Sequence, residues 1–391
     1  MPKIKVALVI FTNIQEGAGT EQVALNIIRY CPKDSFEVYL IENDDVDIPR
    51  ISNEELSKYI SDIKVRQLPF KYQNKLFSLL EKMPHKFLIK NIIMKLILSL
   101  FYHKKFKHIL YELRPDIIYL FYNSASFYIP NDYKGKVIGS EHTWLPNSKT
   151  ISNKIIIKLI KNNLFWRRID GFHLFPREHV YKTILNKKHS FILSNGADCT
   201  YILNSNHSLN NENIKNKKCI FMFIGRLESC KGVKLVFDAW NNMKNREFTE
   251  LHIVGGGSLQ EYFLNIHMEN FFYHGVVSEK EKQEIFSRSD VFIYPSTCDT
   301  FGISYLEAIV NGLYVIASKH MDGMIEISDK EQVTFVELNV EEITKEMERA
   351  FDRLEIYKSK REIWSNDAQK KYCWRNIIPL FYKELEKIAK S

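Results

Sequence analysis

The chain has 391 residues, of which 45% are hydrophobic and 26% are charged, and its formal net charge is +8. That length exceeds what one hydrophobic core usually organises, so it predicts two domains. The apolar content is that of a globular protein and excludes a chain that is disordered throughout. The modest positive charge favours anionic partners such as phosphates or acidic lipid surfaces.

Cysteine usage and the hydrophobic runs indicate the cellular compartment of the protein. The cysteines are Cys31, Cys199, Cys219, Cys230, Cys298 and Cys373. None forms a C-x-x-C pair, so we expect neither a zinc ribbon nor a redox motif, and cysteines scattered in this way fit a reducing compartment. The sequence has no uncharged apolar run of about 18 residues and no signal-peptide cleavage site. These features predict a cytoplasmic protein.

The first half of the chain alternates predicted strands with helical segments. Ile4–Phe11 is an apolar run typical of a buried parallel strand, and Thr20–Arg29 carries apolar residues at helical spacing after a loop with Gly17 and Gly19. Further strands are predicted at Phe36–Ile41, Pro115–Phe121, Lys136–Gly139, Gly171–Leu174 and Ser190–Leu193. This succession of strand, glycine loop, helix and strand predicts a Rossmann-like sheet.

The second half repeats this alternation after Asn204–Lys218, a polar, asparagine-rich segment that predicts a linker. Strands are predicted at Cys219–Ile224, Leu251–Val254, Val291–Tyr294 and Tyr314–Ala317, and helices at Val233–Met243, Ile303–Val310, Val340–Lys371 and Trp374–Lys390. The fold class is therefore α/β, with two Rossmann-like β/α/β domains. Ligands are expected in a cleft between the two sheets, at the carboxyl ends of their strands.

The strongest chemical signal is Tyr294–Ala308, where a strand, a loop and a helix carry two acids eight residues apart, Asp299 and Glu307. The free backbone amides of Phe301–Ser304 at the helix start would offer donors to phosphate or sugar oxygens. A glutamate inside an apolar helix needs a partner, and vicinal ribose hydroxyls would serve. The alternative is that Asp299 caps the helix and Glu307 is a solvated helix residue.

A second signal is Gly225–Gly232, which follows a predicted strand directly. Arg226 and Lys231 flank the turn into the next helix, and two cations at the carboxyl end of a strand suit a diphosphate. The alternative is ordinary surface charge, with a salt bridge to Glu228.

These motifs, in this order, resemble the family 4 retaining glycosyltransferases of GT-B fold. The signature of that family reads G-R-x4-K-G, then a strand ending in G-x-G, then P-S-x-x-E-x-F-G-x4-E-A, then G-x-P-V. The corresponding stretches here are Gly225–Gly232, Val254–Gly257, Pro295–Ala308 and Gly312–Val315. The resemblance covers nearly the whole chain. Asp299 stands where the family usually has glutamate, and Tyr314 replaces the proline.

The resemblance implies a role for each matching residue. Arg226 and Lys231 would neutralise the diphosphate, Glu307 would hold the ribose, and Asp299 would contact hydroxyls of the donor sugar. The implied catalytic residues are His142, Asp299, Arg226 and Lys231. The implied substrate-binding residues are Gly17, Gly19, Gly275, Val276, Val277, Asp299, Thr300, Phe301, Gly302, Ile303, Ser304 and Glu307.

In the first half, Gly17 and Gly19 resemble the G-G-x-E loop of the family, where glycine lets the backbone approach the donor phosphate. A lone G-x-G is common to Rossmann turns. Within Glu141-His142-Thr143, His142 resembles the histidine that contacts the donor sugar near its C6 hydroxyl; the alternative is a structural hydrogen-bonding histidine. Ser194–Asp198 resembles a structural turn ahead of the linker.

The resemblance implies a retaining transferase that moves a hexose or related sugar from a nucleotide sugar, UDP-sugar by family frequency. The acceptor would be a glycan or a lipid-linked glycan in cell-surface polysaccharide or glycoconjugate synthesis. The nucleotide sugar is a co-substrate, and no cofactor or metal is implied. Asp45 and Asp47 form a D-x-D pair, but they lie far from the nucleotide half.

The same resemblance implies the domain boundaries. Residues 1–198 would bind the acceptor, residues 199–365 would bind the nucleotide sugar, and residues 366–391 would form a helix that packs back on the first domain.

Two basic amphipathic stretches bear on membrane contact. Residues 71–114 carry nine lysines and one arginine against Glu81 and Glu112, and residues 154–168 repeat the pattern. Such helices lie on anionic membranes, which would place the protein on the inner face of the cell membrane, or they cover the first sheet with solvated lysines. Both interpretations stay open, and no nucleic-acid partner is expected.

Other classes remain as alternatives. A GT-B epimerase or hydrolase would turn over nucleotide sugar without an acceptor. A non-catalytic subunit would support a partner transferase; the Asp299 departure favours it and the retained Arg226, Lys231 and Glu307 oppose it. A dinucleotide oxidoreductase is disfavoured because neither glycine-rich loop completes G-x-G-x-x-G with a following acid.

Overall fold

The computed structural model describes residues 2–17, 19–44, 51, 56–57, 60, 63–68, 104–140, 142, 168–176, 189–199, 218–299 and 301–391. The chain forms two compact units. Met1–Ser194 together with Ile377–Ser391 forms the first, and Asn195–Asn376 forms the second.

The first unit is built on a seven-stranded parallel sheet. Its strands are β1 (Ile4–Val9), β2 (Phe36–Asn43), β3 (Lys64–Leu68), β4 (Ile117–Leu120), β5 (Lys136–Ser140), β6 (Gly171–Leu174) and β7 (Phe191–Ile192), in the spatial order β3-β2-β1-β4-β5-β6-β7. The central strand β4 is buried at every residue, as expected where helices cover both faces of a parallel sheet. The edge strand β3 was not predicted, because its sequence is polar and only its last residue, Leu68, is buried.

Two helices of the first unit follow helical spacing of apolar residues. Helix α1 (Gly19–Arg29) buries Val23, Ala24, Ile27 and Ile28. Helix α2 (residues 104–113) buries four apolar residues, Phe106, Ile109, Leu110 and Leu113, in a core that includes β4 and β5.

The second unit is built on a six-stranded parallel sheet. Its strands are β8 (Cys219–Ile224), β9 (Thr249–Val254), β10 (Phe271–Gly275), β11 (Val291–Tyr294), β12 (Tyr314–Ser318) and β13 (Val333–Val336), in the order β10-β9-β8-β11-β12-β13. Its helices are α3 (Val233–Asn241), α4 (Gln260–Leu264), α5 (Glu279–Arg288), α6 (Ile303–Val310), α7 (Asp322–Ile327), α8 (Val340–Asp352) and α9 (Leu354–Tyr372). The sequence predicted one helix over Val340–Lys371; the structure breaks it at Arg353.

The strand order of this sheet decides where a ligand can bind. The chain leaves β8 towards β9 and β10 on one side, and returns to β11 on the other side of β8. The loops that follow β8 and β11 therefore start from adjacent strand ends, which is the usual binding position in an open α/β sheet.

The last helix, α10 (Trp374–Ala389), begins in the second unit and ends in the first. Its buried residues include Phe381 and Tyr382, and the Tyr382 hydroxyl donates to the Ile27 carbonyl oxygen at 2.8 Å. The predicted boundary at residue 366 lies inside α9, because the backbone becomes extended only at Cys373.

Four of the six cysteines form two disulfide pairs, Cys199 with Cys373 and Cys230 with Cys298. The two cysteines of the first pair are 174 residues apart in sequence and those of the second are 68 apart, so no local motif predicts the pairing. Scattered cysteines predicted a reducing compartment, and the pairing of these four does not fit that prediction.

The contacts around Gly312 show how tightly the end of α6 is packed. Gly312 and Gly275 share a left-handed backbone, with φ of 72° and 67°. A Cβ at Gly312 would lie 2.2 Å from the Arg361 carbonyl oxygen, whereas one at Gly275 would meet nothing within 4 Å.

We expect Gly275→Ala to lower the free energy of unfolding by about 1–2 kcal/mol, the backbone cost alone. Gly312→Ala should lower it by about 1–3 kcal/mol more, because the methyl group overpacks a backbone contact. Urea unfolding followed by circular dichroism measures both. Equal losses would contradict the packing described for Gly312.

Candidate active site

Two loops meet at the carboxyl ends of β8 and β11. We name Gly225–Gly232 the cation loop and Pro295–Gly302 the acid loop. The Thr297 amide and hydroxyl both donate to the Cys230 carbonyl oxygen, at 2.9 and 3.0 Å. Cys230 and Cys298 also pair, with Cα atoms 5.8 Å apart. The two loops therefore form one surface.

Glycines permit this close approach. Gly232 has a φ of 71°, and a Cβ there would lie 2.5 Å from the Pro295 carbonyl oxygen. On the other side, a Cβ at Gly255 would lie 1.9 Å from the Gly225 carbonyl oxygen. The glycine run after β9 thus supports the cation loop, and the Leu227 amide donates to the Gly256 carbonyl oxygen at 2.9 Å.

Lys231 and Asp299 join the two loops through a buried ion pair. The Lys231 ammonium contacts Asp299 Oδ1, and the Tyr294 hydroxyl donates to Asp299 Oδ2 at 2.5 Å. Burial alone would raise the pKa of Asp299, but the Lys231 charge and the hydrogen bonds from Lys231, Ser296 and Tyr294 together hold that pKa below its ordinary value. The capping alternative for Asp299 is wrong, because the residue that caps α6 is Gly302.

Arg226 projects from the cation loop and is exposed. Within residues 218–299 and 301–391, no carboxylate lies at ion-pair distance from it. The proposed alternative partner, Glu228, instead accepts hydrogen bonds from the Ser258 amide and hydroxyl at 3.1 and 2.7 Å. The guanidinium is therefore available to an anion from outside.

Glu307 lies in α6 and is buried, so the solvated alternative is wrong. Its Oε1 atom lies 2.6 Å from Lys282 Nζ, and the same ammonium lies 2.7 Å from Glu279 Oε2. Burial raises the pKa of Glu307, and the Lys282 charge opposes that shift. Sequence reasoning missed Lys282, since a lysine in the polar helix α5 looks like a solvated residue.

The helix start that follows the acid loop has no side-chain cap, because its N-cap is Gly302. Phe301 and Gly302 are buried, while Ile303 and Ser304 are half-buried. A Cβ at Gly302 would lie 2.9 Å from the Tyr294 hydroxyl oxygen, so the loop packs directly on that ring.

The segment after β10 contains the residues predicted to bracket a base. Gly275 has a left-handed backbone, Val276 is 62% exposed and Val277 is half-buried. Thr300 lies outside the described residues.

The glycine loop of the first unit begins a helix as predicted. Gly17 is left-handed, with a φ of 58°, and its amide donates to the Ile14 carbonyl oxygen at 3.3 Å. Gly19 is the first residue of α1. Glu21, buried in the first turn of that helix, accepts from the Thr12 hydroxyl.

His142, which is half-buried, ends a chain of hydrogen-bonded polar groups in the first unit. His173 Nε2 lies 2.9 Å from the Leu193 carbonyl oxygen, an acceptor, so that nitrogen carries the proton. Burial lowers the pKa of His173 to about 4, so the ring is neutral and its Nδ1 accepts from the Tyr119 hydroxyl at 2.6 Å. The Tyr119 oxygen in turn accepts from His142 Nε2 at 3.2 Å.

The consequence of this chain is a defined form of His142. Burial and the neighbouring His173 hold the pKa of His142 well below its ordinary value, so the ring is neutral. Its proton is on Nε2, which leaves Nδ1 as a hydrogen-bond acceptor.

Several predicted features lie outside the described residues: Asp45, Asp47, Glu141, Thr143 and most of both basic stretches. In the ranges that are described, no three histidine, cysteine or acidic side chains are grouped so as to hold a metal ion. Every helix described is also too short or too polar to cross a lipid bilayer.

Comparison with known proteins finds a family model that is similar to most of the second unit. Residues 205–371 match the family model described as glycosyl transferases group 1. An uncharacterised glycosyltransferase of Methanocaldococcus jannaschii is 26% identical over 175 residues, which are 42% of this chain and 44% of that protein. The chain matches less than half the length of its curated relatives.

Solved structures resemble the chain over nearly its whole length. Sucrose-phosphate synthase from Thermosynechococcus elongatus has a TM-score of 0.70 over 100% of both chains, at 14% identity. Anabaena HepE, solved in complex with UDP and glucose, has a TM-score of 0.64 over 98% of this chain and 99% of that chain, at 13% identity. The chain therefore has the GT-B fold, and its residues 205–371 are similar to the glycosyl transferases group 1 family.

Proposed function

We propose that this protein is a retaining, metal-independent glycosyltransferase that uses a UDP-sugar. The acceptor would be a glycan or lipid-linked glycan of cell-surface polysaccharide or glycoconjugate synthesis. The observation that carries the proposal is the joined pair of loops, in which a buried Lys231–Asp299 pair lies beside the exposed Arg226. HepE, which shares the fold, binds UDP and UDP-glucose.

The two cations suit the leaving group of the reaction. Breaking a sugar–phosphate bond builds positive charge at the anomeric carbon and negative charge on the diphosphate. Arg226 can offer a bidentate contact to phosphate oxygens. The Lys231 ammonium has three donors, and Asp299 occupies one of them. Together they would stabilise the departing diphosphate without a metal.

The two acids suit the two halves of the donor. Lys231 and Tyr294 hold the Asp299 carboxylate ionised and oriented, which suits acceptance of hydrogen bonds from sugar hydroxyls. Glu307 would accept from the vicinal ribose hydroxyls. His142, neutral with an accepting Nδ1, would take a hydroxyl of the donor sugar.

We expect substitutions of the two acids to have different effects on ligand affinity. Glu307→Gln should weaken binding of free UDP, because the ribose is common to donor and product. Asp299→Asn should leave UDP affinity nearly unchanged and weaken only the intact UDP-sugar. A charged hydrogen bond contributes about 1.5–3 kcal/mol, so each loss should be roughly 10- to 150-fold. Calorimetry with both ligands separates the cases, and equal losses for both ligands in the Asp299 variant would refute its sugar role.

Arg226→Ala should lower turnover at least about 100-fold, since it removes a charge that stabilises the transition state. The fold should survive, because the side chain is exposed and unpaired among described residues. Arg353→Ala, another exposed arginine of the second unit, is the matched control. Near-normal turnover of the Arg226 variant would reject the diphosphate site.

Transfer should also persist in EDTA, because the two cations stabilise the diphosphate without a metal. Loss of transfer in EDTA would reject metal independence.

In Tyr119→Phe the proton of the neutral His142 ring should no longer be confined to Nε2, because the hydroxyl oxygen that accepts from Nε2 is removed. Nitrogen-15 spectra of labelled histidine should show one neutral tautomer in the wild type and a mixture in the variant. Turnover should fall about 3- to 10-fold, the size of one neutral hydrogen bond. Tyr133→Phe, which removes a hydroxyl bonded to the Pro115 carbonyl oxygen, is the control. An unchanged tautomer in the Tyr119 variant would contradict the chain described for His142.

A further inference from the structure

We propose that Lys282 is a positioning residue for the nucleotide, orienting the Glu307 carboxylate towards the ribose hydroxyls through a direct ion pair. This inference rests on the proposed function, because it assigns the ribose to Glu307. It adds a residue that belongs to neither the cation loop nor the acid loop. Lys282 lies in the first turn of α5 and reaches across to the middle of α6.

The start of α5 is held firmly enough to aim a side chain. Ser278 caps the helix in a reciprocal arrangement with Glu281, whose Oε2 atom accepts from the Ser278 amide at 2.8 Å. Ser278 follows Val277 directly, so the segment proposed to bracket the base leads into this cap. Lys282 thus links that segment to Glu307.

The ammonium of Lys282 is shared between two acids. It lies 2.6 Å from Glu307 Oε1 and 2.7 Å from Glu279 Oε2. The side chains of Lys282 and Glu307 are 17% and 9% exposed, so solvent screens this pair weakly. Glu279 is itself fixed, because its Oε1 atom accepts from the Gln283 amide group at 3.1 Å. Glu279 therefore fixes the position of the Lys282 ammonium, and that ammonium fixes the Glu307 carboxylate.

The remaining charged groups near Glu307 act against its ionised form. Burial, Glu279 and Asp198 all raise the pKa of Glu307, whereas Lys282 lowers it. Tyr294, whose own pKa is raised well above its ordinary value, stays neutral beside it. Among the described residues, Lys282 is the one cation paired with Glu307. Without it, the carboxylate would take up a proton at a higher pH.

Protonation changes what Glu307 can recognise. The ionised carboxylate is an acceptor on both oxygens, which suits the two donating hydroxyls of a ribose. The protonated form loses charge-assisted bonding. In a variant without Lys282 the pKa of Glu307 rises further, so nucleotide affinity falls as pH decreases and recovers as pH increases. In the wild type the same fall should occur only at lower pH.

The experiment compares Lys282→Met with Lys280→Met by calorimetry with UDP between pH 6 and 9. Lys280 is 81% exposed and pairs loosely with Glu284 at 4.0 Å on the same helix, so it controls for loss of a lysine from α5. We expect the Lys282 variant to bind UDP at least about 10-fold more weakly at pH 6.5, with most of the loss recovered by pH 9. Dividing by the wild-type affinity at each pH removes the titration of UDP itself.

Two further variants separate positioning from mere stability. Lys282→Arg keeps the cation and should keep the wild-type pH profile. Lys282→Met combined with Glu307→Gln removes the uncompensated buried charge, and it should fold and bind UDP no more weakly than Glu307→Gln alone, with no dependence on pH beyond the wild type.

The outcomes distinguish this inference from the proposed function. Failure of wild-type protein to bind UDP would refute the proposed donor and the inference built on it. Wild-type binding with unchanged or tighter binding in Lys282→Met would overturn the inference alone. A loss in Lys282→Met that is equal at every pH would also overturn it, since that result describes a structural defect.

Discussion

A charge is costly to bury unless an opposite charge or hydrogen bonds compensate it, and this constraint organises the candidate site of the second unit. Among the residues that the structure describes at that site, two ion pairs provide this compensation, Lys231 with Asp299 and Lys282 with Glu307. Each joins segments that are distant in sequence, so each fixes the position of one loop or helix against another. The acids that we propose to bind sugar and ribose are thus the same groups that hold the site together.

Much of the architecture could be predicted because buried parallel strands are continuous apolar runs. The limits of β6, β8, β11 and α6 match their predicted ranges. Two of the elements that were missed are polar: β3 is an edge strand with one buried residue, and α5 is a helix with two. In such elements tertiary context supplies what local sequence does not.

The sequence predicted which loops form the candidate site, but it did not predict which side chains contact each other there. Motif spacing pointed to Arg226, Lys231, Asp299 and Glu307, but not to the partner that each side chain finds. Lys231 meets Asp299 across 68 residues, and the same fold brings Cys230 to Cys298. These pairings depend on β8 and β11 being neighbours, which no local pattern encodes. The hydrogen-bonded chain behind His142 is hidden for the same reason, since it crosses three strands.

The terminal helix α10 makes the order of synthesis matter. The ribosome completes the whole second unit before it adds Ile377–Ser391, the residues that finish the first. Until then the surface of α1 that receives Tyr382, and the ring of Tyr119 that packs on Phe381, lack their cover. The unit whose synthesis begins first is therefore the last to be completed, and a nascent chain halted after Asn376 would carry every residue of the second unit while the first still lacked Ile377–Ser391.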